Sequence, residues 1–392
     1  MEYVYLGFLI TAIPLFFILI SGKFDIFSPP SLHVVSWFLV FASGLMVGKE
    51  FYSLTFENFM LFGIWYLVVG SIFFVVYFYS SANKINKNIY EIKYKNFLLI
   101  LVFMSCLITV SEILKVGYGG PYNFFLNLRL SLFVEDYTGP RYFLTPILYI
   151  FLTPLFAISL LCKNAKHLFY ILVFWQILYV ISTMGKFTIL TPLLIYIVVY
   201  YLGNNIKIKI LNIILLCIIL SVTFLSVNLV RSSDDADSQK ILEVIGIYVY
   251  SPLLALGNIQ LCDNCNFGEY TFRFFYALFY KLGLSSIPPV NTVLEYQYLP
   301  FPTNVYTVIQ PFYFDFGVYG VFYGALIYGL IYSLIYLKAR QGNKYFLVIY
   351  ALISVSLITS FFGETLITNF ALSLYLVFIS LLIWKGLVYA KR

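Results

Sequence analysis

The sequence predicts an all-α, polytopic integral membrane protein of about eleven transmembrane helices with a large external loop. Two observations carry this. Hydrophobic residues make up 62% of the 392-residue chain and charged residues only 10%, against roughly 25% charge in globular domains. Apolar stretches near the ~20 residues needed to cross a bilayer also recur along the whole length.

Taken in order, the apolar runs place spans near 3–21, 31–48, 59–81, 97–114, 141–161, 168–184, 187–203, 210–230, 311–337, 345–362 and 366–384. The 311–337 run is long enough to be tilted or broken. The first run is a retained helix, because Met1-Glu2-Tyr3 lacks a basic n-region and no A-x-A cleavage site follows. Neither end carries a lipidation motif. Orientation follows from the lysines. "ANKINKNIYEIKYK" (82–95) is cytoplasmic, and alternating outward from it puts 15 of the 24 Lys and Arg residues inside and nine outside. The N-terminus is then external and the C-terminus cytoplasmic. Fifteen of the 17 acids fall on the outer side.

Two connections are long, and both are external: 115–140 and the 75-residue stretch 231–305. Long irregular segments usually carry function. The chain therefore divides into helices 1–8 (1–230), an external loop (231–305) and the last three helices (306–392). Within the loop, "TFRFFYALFYKLG" (271–283) sets Phe272, Phe275, Tyr276, Phe279 and Leu282 on one helical face. Arg273 and Lys281 fall on another, as suits a helix in the membrane interface. A short membrane-dipping hairpin is the other reading.

Residues able to do chemistry are few. Cys106, Cys162 and Cys217 sit in or near spans as core residues. Cys262 and Cys265 read as a local disulfide in an exterior compartment. Zinc needs about four ligands, and both histidines, His33 and His167, map to the cytoplasmic side, so neither metal nor cofactor is expected. Nucleotide-binding and hydrolase motifs are absent, and nothing suggests nucleic acid.

External cations are sparse. Arg141 in "GPRYFLTP", Lys186 in "STMGKFTILTP" and Arg231 in "SVNLVRSSD" all fall at the outer boundary. Snorkelling explains any one of them; three at one depth point to an anion site, with guanidinium forks suited to phosphate. Glu112, Glu135, Asp136, Glu295, Asp315 and Glu364 lie at the same level. Asp315 and Glu295 flank the Pro- and aromatic-rich entry to a late span. Each can act as a general base, pair with an arginine or face water.

The stretches "GPRYFLTP", "STMGKFTILTPLLIYIV", "NLVRSS" and above all "PTNVYTVIQPFYFDFGVYG" resemble the O-antigen polymerase (Wzy) family, as does the topology with its large late external loop. Two features depart from the family. Arg129 to Gly139 and Arg273 to Gly283 fall one residue short of its Arg-x10-Gly motifs, and Lys186 stands where an arginine is expected.

The resemblance implies a GT-C-like, lipid-linked glycosyltransferase of lipopolysaccharide biosynthesis at the periplasmic face of the bacterial inner membrane. Its substrates would be undecaprenyl-pyrophosphate-linked oligosaccharides, and a chain-length regulator is a candidate partner. Arg141, Arg231, Lys186 and Arg273 would grip pyrophosphate, and Asp315 or Glu295 would take the acceptor proton. Asn304, Gln310 and Tyr313 would line the acceptor entry. An O-antigen ligase is the near alternative, disfavoured by the lack of an external histidine. A lipid-linked oligosaccharide flippase is the distant one, disfavoured because the charges gather at the outer edge rather than the midplane.

Overall fold

A computed structural model describes residues 1–21, 25–79, 89–134, 136–185, 188–204, 245–258, 266–291 and 294–391. Among these, eight helices are long and apolar enough to cross a membrane, and two shorter apolar helices accompany them. The expected span 210–230 lies outside the described residues. The chain folds as two units. Unit 1 is Met1–Ala82, Ser238–Gln341 and Ser356–Ser373; unit 2 is Asn83–Asp237, Gly342–Val355 and Leu374–Arg392.

Unit 1 is built on α1 (Glu2–Ser21), α2 (Pro29–Val47), α3 (Phe56–Tyr79) and the chain's longest helix, Gln310–Arg340. Trp37 and Phe41 of α2 pack on Phe62 of α3, all fully buried. Much of α1 faces outward through Ile13, Phe16 and Ile20. So apolar an exterior suits lipid and not water.

Unit 2 contains β1 (Ile89–Ile92), α4 (Lys95–Gly119), α5 (Phe124–Phe133), α6 (Thr145–Ser159), α7 (Lys166–Thr183) and α8 (Leu190–Asn204). Trp175 of α7 donates to Thr109 of α4 at 3.0 Å, and Gln176 donates to Thr153 of α6 at 3.2 Å. The expected loop 115–140 is shorter than predicted: α4 runs on to Gly119, and α5 folds back with Asn127 donating to the Gly117 carbonyl at 2.9 Å.

The remaining elements are α9 (Ser251–Ala255), α10 (Arg273–Lys281), β2 (Gln297–Tyr298), β3 (Pro302–Thr303), α11 (Gln310–Arg340), α12 (Lys344–Ile358), α13 (Phe370–Leu387) and β4 (Val388–Lys391). β1 and β4 form an antiparallel ribbon in unit 2 that the lysine-rich pattern of 82–95 did not foretell. Glu91 on it accepts from Tyr389 at 2.7 Å and pairs with Lys391 at 2.9 Å.

α10 has the amphipathic form expected of it, with Phe275, Leu278, Phe279 and Tyr280 all exposed. It ends in a Schellman motif. Gly283 takes φ +70°, Leu284 N–H reaches the Phe279 carbonyl at 2.9 Å and Gly283 N–H the Tyr280 carbonyl at 3.1 Å. The spacing from Arg273 to Gly283 is thus the length of one helix: the arginine opens it and the glycine closes it.

α11 is broken at Gly317, whose φ 59° and ψ −147° lie where glycine alone is at ease. In a straight helix Phe312 and Gly324 would stand about 18 Å apart. Here a Cβ on Gly324 would stand 2.5 Å from the Phe312 ring, and one on Gly320 would fall on the Phe312 carbonyl oxygen. The chain therefore reverses at Gly317. Residues 310–316 lie back along the start of 318–340, a re-entrant hairpin rather than a single long span. Pro311 sits in the first turn of this helix and does not keep the segment out of it. At N1 or N2 the missing N–H would be unpaired in any case.

From Gly317, 318–340 descends along α3. Trp65 touches Tyr328, Phe73 touches Tyr332, and Arg340 lies over the Tyr77 ring at 4.1 Å. Tyr336 donates to Asp25 at 2.8 Å. Replacing Gly320 by Ala drives a methyl into the Phe312 carbonyl, and Gly317→Ala adds about 1–3 kcal/mol of backbone strain. Both variants are expected to melt earlier than wild type in detergent, with Gly320→Ala the worse, as fluorescence-detected size exclusion after heating would show.

Candidate functional site at the Gly317 hairpin

The stretch 302–316 is tied residue by residue to the rest of unit 1. Thr303 pairs with Gln297 in the β2–β3 ribbon. The Tyr306 hydroxyl donates to the Glu295 carbonyl at 3.0 Å, and Val308 N–H to the Ser360 carbonyl at 2.7 Å. Val308 and Ile309 are fully buried, so this part of the loop enters the helix cluster before 310–316 climbs to the tip. Along that short helix, Phe312 stacks on Trp65, the Tyr313 hydroxyl donates to Glu57 Oε1 at 2.6 Å, and Asp315 turns the other way.

Asp315 holds a loop. One carboxylate oxygen accepts from Tyr270 N–H at 3.3 Å and the other from Thr271 N–H at 2.7 Å. The Thr271 hydroxyl donates to the Pro311 carbonyl at 3.2 Å. Phe267 and Phe272 close over Phe316, and Tyr270 over Phe314. Where the sequence left open a proton acceptor, a partner to an arginine or a group facing water, the geometry supplies another use: the carboxylate binds the backbone just before α10.

Glu364 does the same on a neighbouring turn. It is 7% exposed and accepts from the N–H groups of Leu366, Ile367 and Thr368 at 2.6–2.9 Å. Burial pushes the pKa of its carboxyl up, and these amides pull against that shift. In unit 2, Glu112 accepts from Phe143, Leu144 and Thr145 N–H at 2.8–3.1 Å and from the Thr145 hydroxyl at 2.6 Å, capping α6.

The other expected site residues fall as follows. Gln310 is buried at the foot of the hairpin. Asn304 is half-buried and lies six residues before α11, so it does not cap that helix. Glu295 is exposed. Arg273 opens α10 and donates from Nε to the Val290 carbonyl at 2.7 Å. Arg141 belongs to unit 2, where Nη2 donates to the carbonyls of Val134 at 2.9 Å and Tyr137 at 3.4 Å. Lys186, Arg231, Cys262 and Cys265 lie outside the described residues. Sequence reasoning missed Glu57. Its only signal was a carboxylate at the start of an apolar run, in "FENFM". No group of three or more His, Cys, Asp and Glu side chains suited to a metal occurs among the described residues.

Asp315→Ala leaves the Tyr270 and Thr271 amides without their acceptor, at about 1–3 kcal/mol for a buried donor. Faster proteolysis within 266–272 and a lower melting point in detergent are the expected result. Glu364 gives a pH test. Its folded pKa lies above the unfolded one, so its burial cost is absent below the unfolded pKa and grows as pH rises toward the folded one. The melting point of wild type relative to Glu364→Gln should therefore climb as pH is lowered from 7 to 5. Comparison of this chain with family models, with curated proteins and with solved structures finds no match.

Proposed function

We propose that this chain is a repeat-unit polymerase of the O-antigen (Wzy) type. It crosses the bacterial inner membrane about eleven times in a GT-C-like arrangement, with its N-terminus in the periplasm and its C-terminus in the cytoplasm. It moves a growing glycan from undecaprenyl pyrophosphate onto a sugar hydroxyl of a new lipid-linked repeat unit. The observation that carries this reading is the Gly317 hairpin. The stretch on which the family resemblance most rests is also the one that brings Tyr313, Asp315 and Gln310 in among apolar helices and sets the Tyr313 hydroxyl on the carboxylate of Glu57. Polar groups are costly in such surroundings unless they serve packing or function.

In this reading the departing pyrophosphate meets Arg141, Arg231, Lys186 and Arg273, where negative charge develops. The acceptor hydroxyl enters past Asn304, Gln310 and Tyr313. Its proton goes to a carboxylate; of the two the sequence offers, Asp315 has both oxygens on backbone amides and Glu295 is exposed. The exposed aromatic side of α10 and the outward faces of the long helices suit the polyprenyl tail and the surrounding lipid.

Deleting the gene in its own host tests the assignment. Surface glycan should shrink from a ladder to a single repeat, as seen on a gel of extracted envelope polysaccharide. An Arg141→Ala, Arg231→Ala double variant at normal protein level should give shorter chains. An unchanged ladder in the deletion strain overturns the reading, and loss of every glycan including the single repeat points to a flippase instead.

A further inference from the structure

The carboxylates of unit 1 are not equally available. Asp315 and Glu364 have both oxygens on backbone amides. Glu269 is held by Asn266, through both its backbone and its side-chain amide. Glu57 differs. It is exposed in the first turn of α3, its Oε1 takes the Tyr313 hydroxyl at 2.6 Å, and its Oε2 has no partner among the described residues.

Both members of this pair are fixed in place. Tyr313 is 6% exposed and rides on the re-entrant segment, wedged between the Phe312–Trp65 stack and the Asp315 clamp. The first turn of α3 is pinned by Asn58. Its Nδ2 donates to the Leu253 and Leu254 carbonyls at 3.1 Å each, and its N–H reaches Thr55 Oγ1 at 3.3 Å. A solvent-facing carboxylate is thus held by a buried hydroxyl, with one oxygen used for orientation and the other open. That division of labour is what a positioned general base requires.

We propose that Glu57 is the base that activates the acceptor and that Tyr313 is its positioning residue; this rests on the polymerase reading above. The open oxygen of Glu57 takes the proton of the acceptor sugar hydroxyl as that oxygen attacks the anomeric carbon of the donor glycan. The bond from that carbon to the pyrophosphate oxygen breaks, and its electron pair leaves with undecaprenyl pyrophosphate. Glu57 then returns the proton to water. Asp315 acts one step back, by holding the loop that packs against the hairpin.

The test uses membranes of the deletion strain carrying each full-length variant, supplied with the solvent-extracted lipid fraction of that strain. Glu57→Gln should lower chain elongation by about 10²-fold or more. Glu57→Asp should keep part of the rate. Tyr313→Phe should lower kcat by about 10- to 100-fold with KM for the extract little changed, since only orientation is lost. Azide needs no base, so Glu57→Ala with sodium azide should release glycan as a glycosyl azide, detected by mass spectrometry. Glu57→Gln working at the wild-type rate overturns the proposal. So does a slow Glu57→Ala that gives no azide adduct while running as a monodisperse species, because Glu57 is then structural. If wild-type membranes themselves fail to lengthen the extract, the polymerase reading falls and takes this assignment with it.

Discussion

The interaction on which the rest of this fold depends is the hydrogen bond from backbone amide to carboxylate at the ends of helices and turns. Amides at such ends lack intrahelical partners, and apolar surroundings offer no water to replace them. The chain answers with acids. Glu112 takes three amides at the start of α6, Glu364 takes three on the turn before α13, and Asp315 takes two just before α10. A carboxylate suits this use because it has several lone pairs and its charge favours the positive end of a helix.

The hairpin at Gly317 follows from the same constraint. A chain that turns back among apolar helices must keep its backbone satisfied on both arms. Pro311 removes one amide that would be unpaired, and the Pro311 carbonyl takes the Thr271 hydroxyl. Val308 N–H finds the Ser360 carbonyl. Glycine at 320 and 324 lets the two arms touch, because any side chain there would meet Phe312. Close packing gives the arms one relative position, and that position sets Tyr313 against Glu57.

Use of acids as clamps also changes what this part of unit 1 can do. A carboxylate with both oxygens on amides gains a fixed place and gives up freedom to accept a proton from a substrate. Asp315 and Glu364 lie on that side of the exchange. Glu57, oriented through one oxygen only, lies on the other, and it is a tyrosine from the re-entrant arm that orients it. Structure and chemistry in this region are thus divided between neighbouring acids.

The sequence by itself determined the helical class and most helix positions, because runs of about 20 apolar residues leave the backbone no other satisfied form. The amphipathic α10 was legible for the same kind of reason, since Phe275 and Phe279 recur at helical spacing opposite Arg273 and Lys281. It also singled out 301–320 by its polar residues. Only the tertiary structure decided what those residues meet. The sequence marked 311–337 as long enough to be tilted or broken but did not place the reversal at Gly317, because a glycine reveals its φ only when its neighbours fold. The role of Asp315 was hidden because its partners are main-chain amides 44 and 45 residues earlier, which carry no side-chain signal. Glu57 was hidden because its partner lies 256 residues away. A local pattern reports periodicity and burial; a contact at that separation exists only once the helices between have packed.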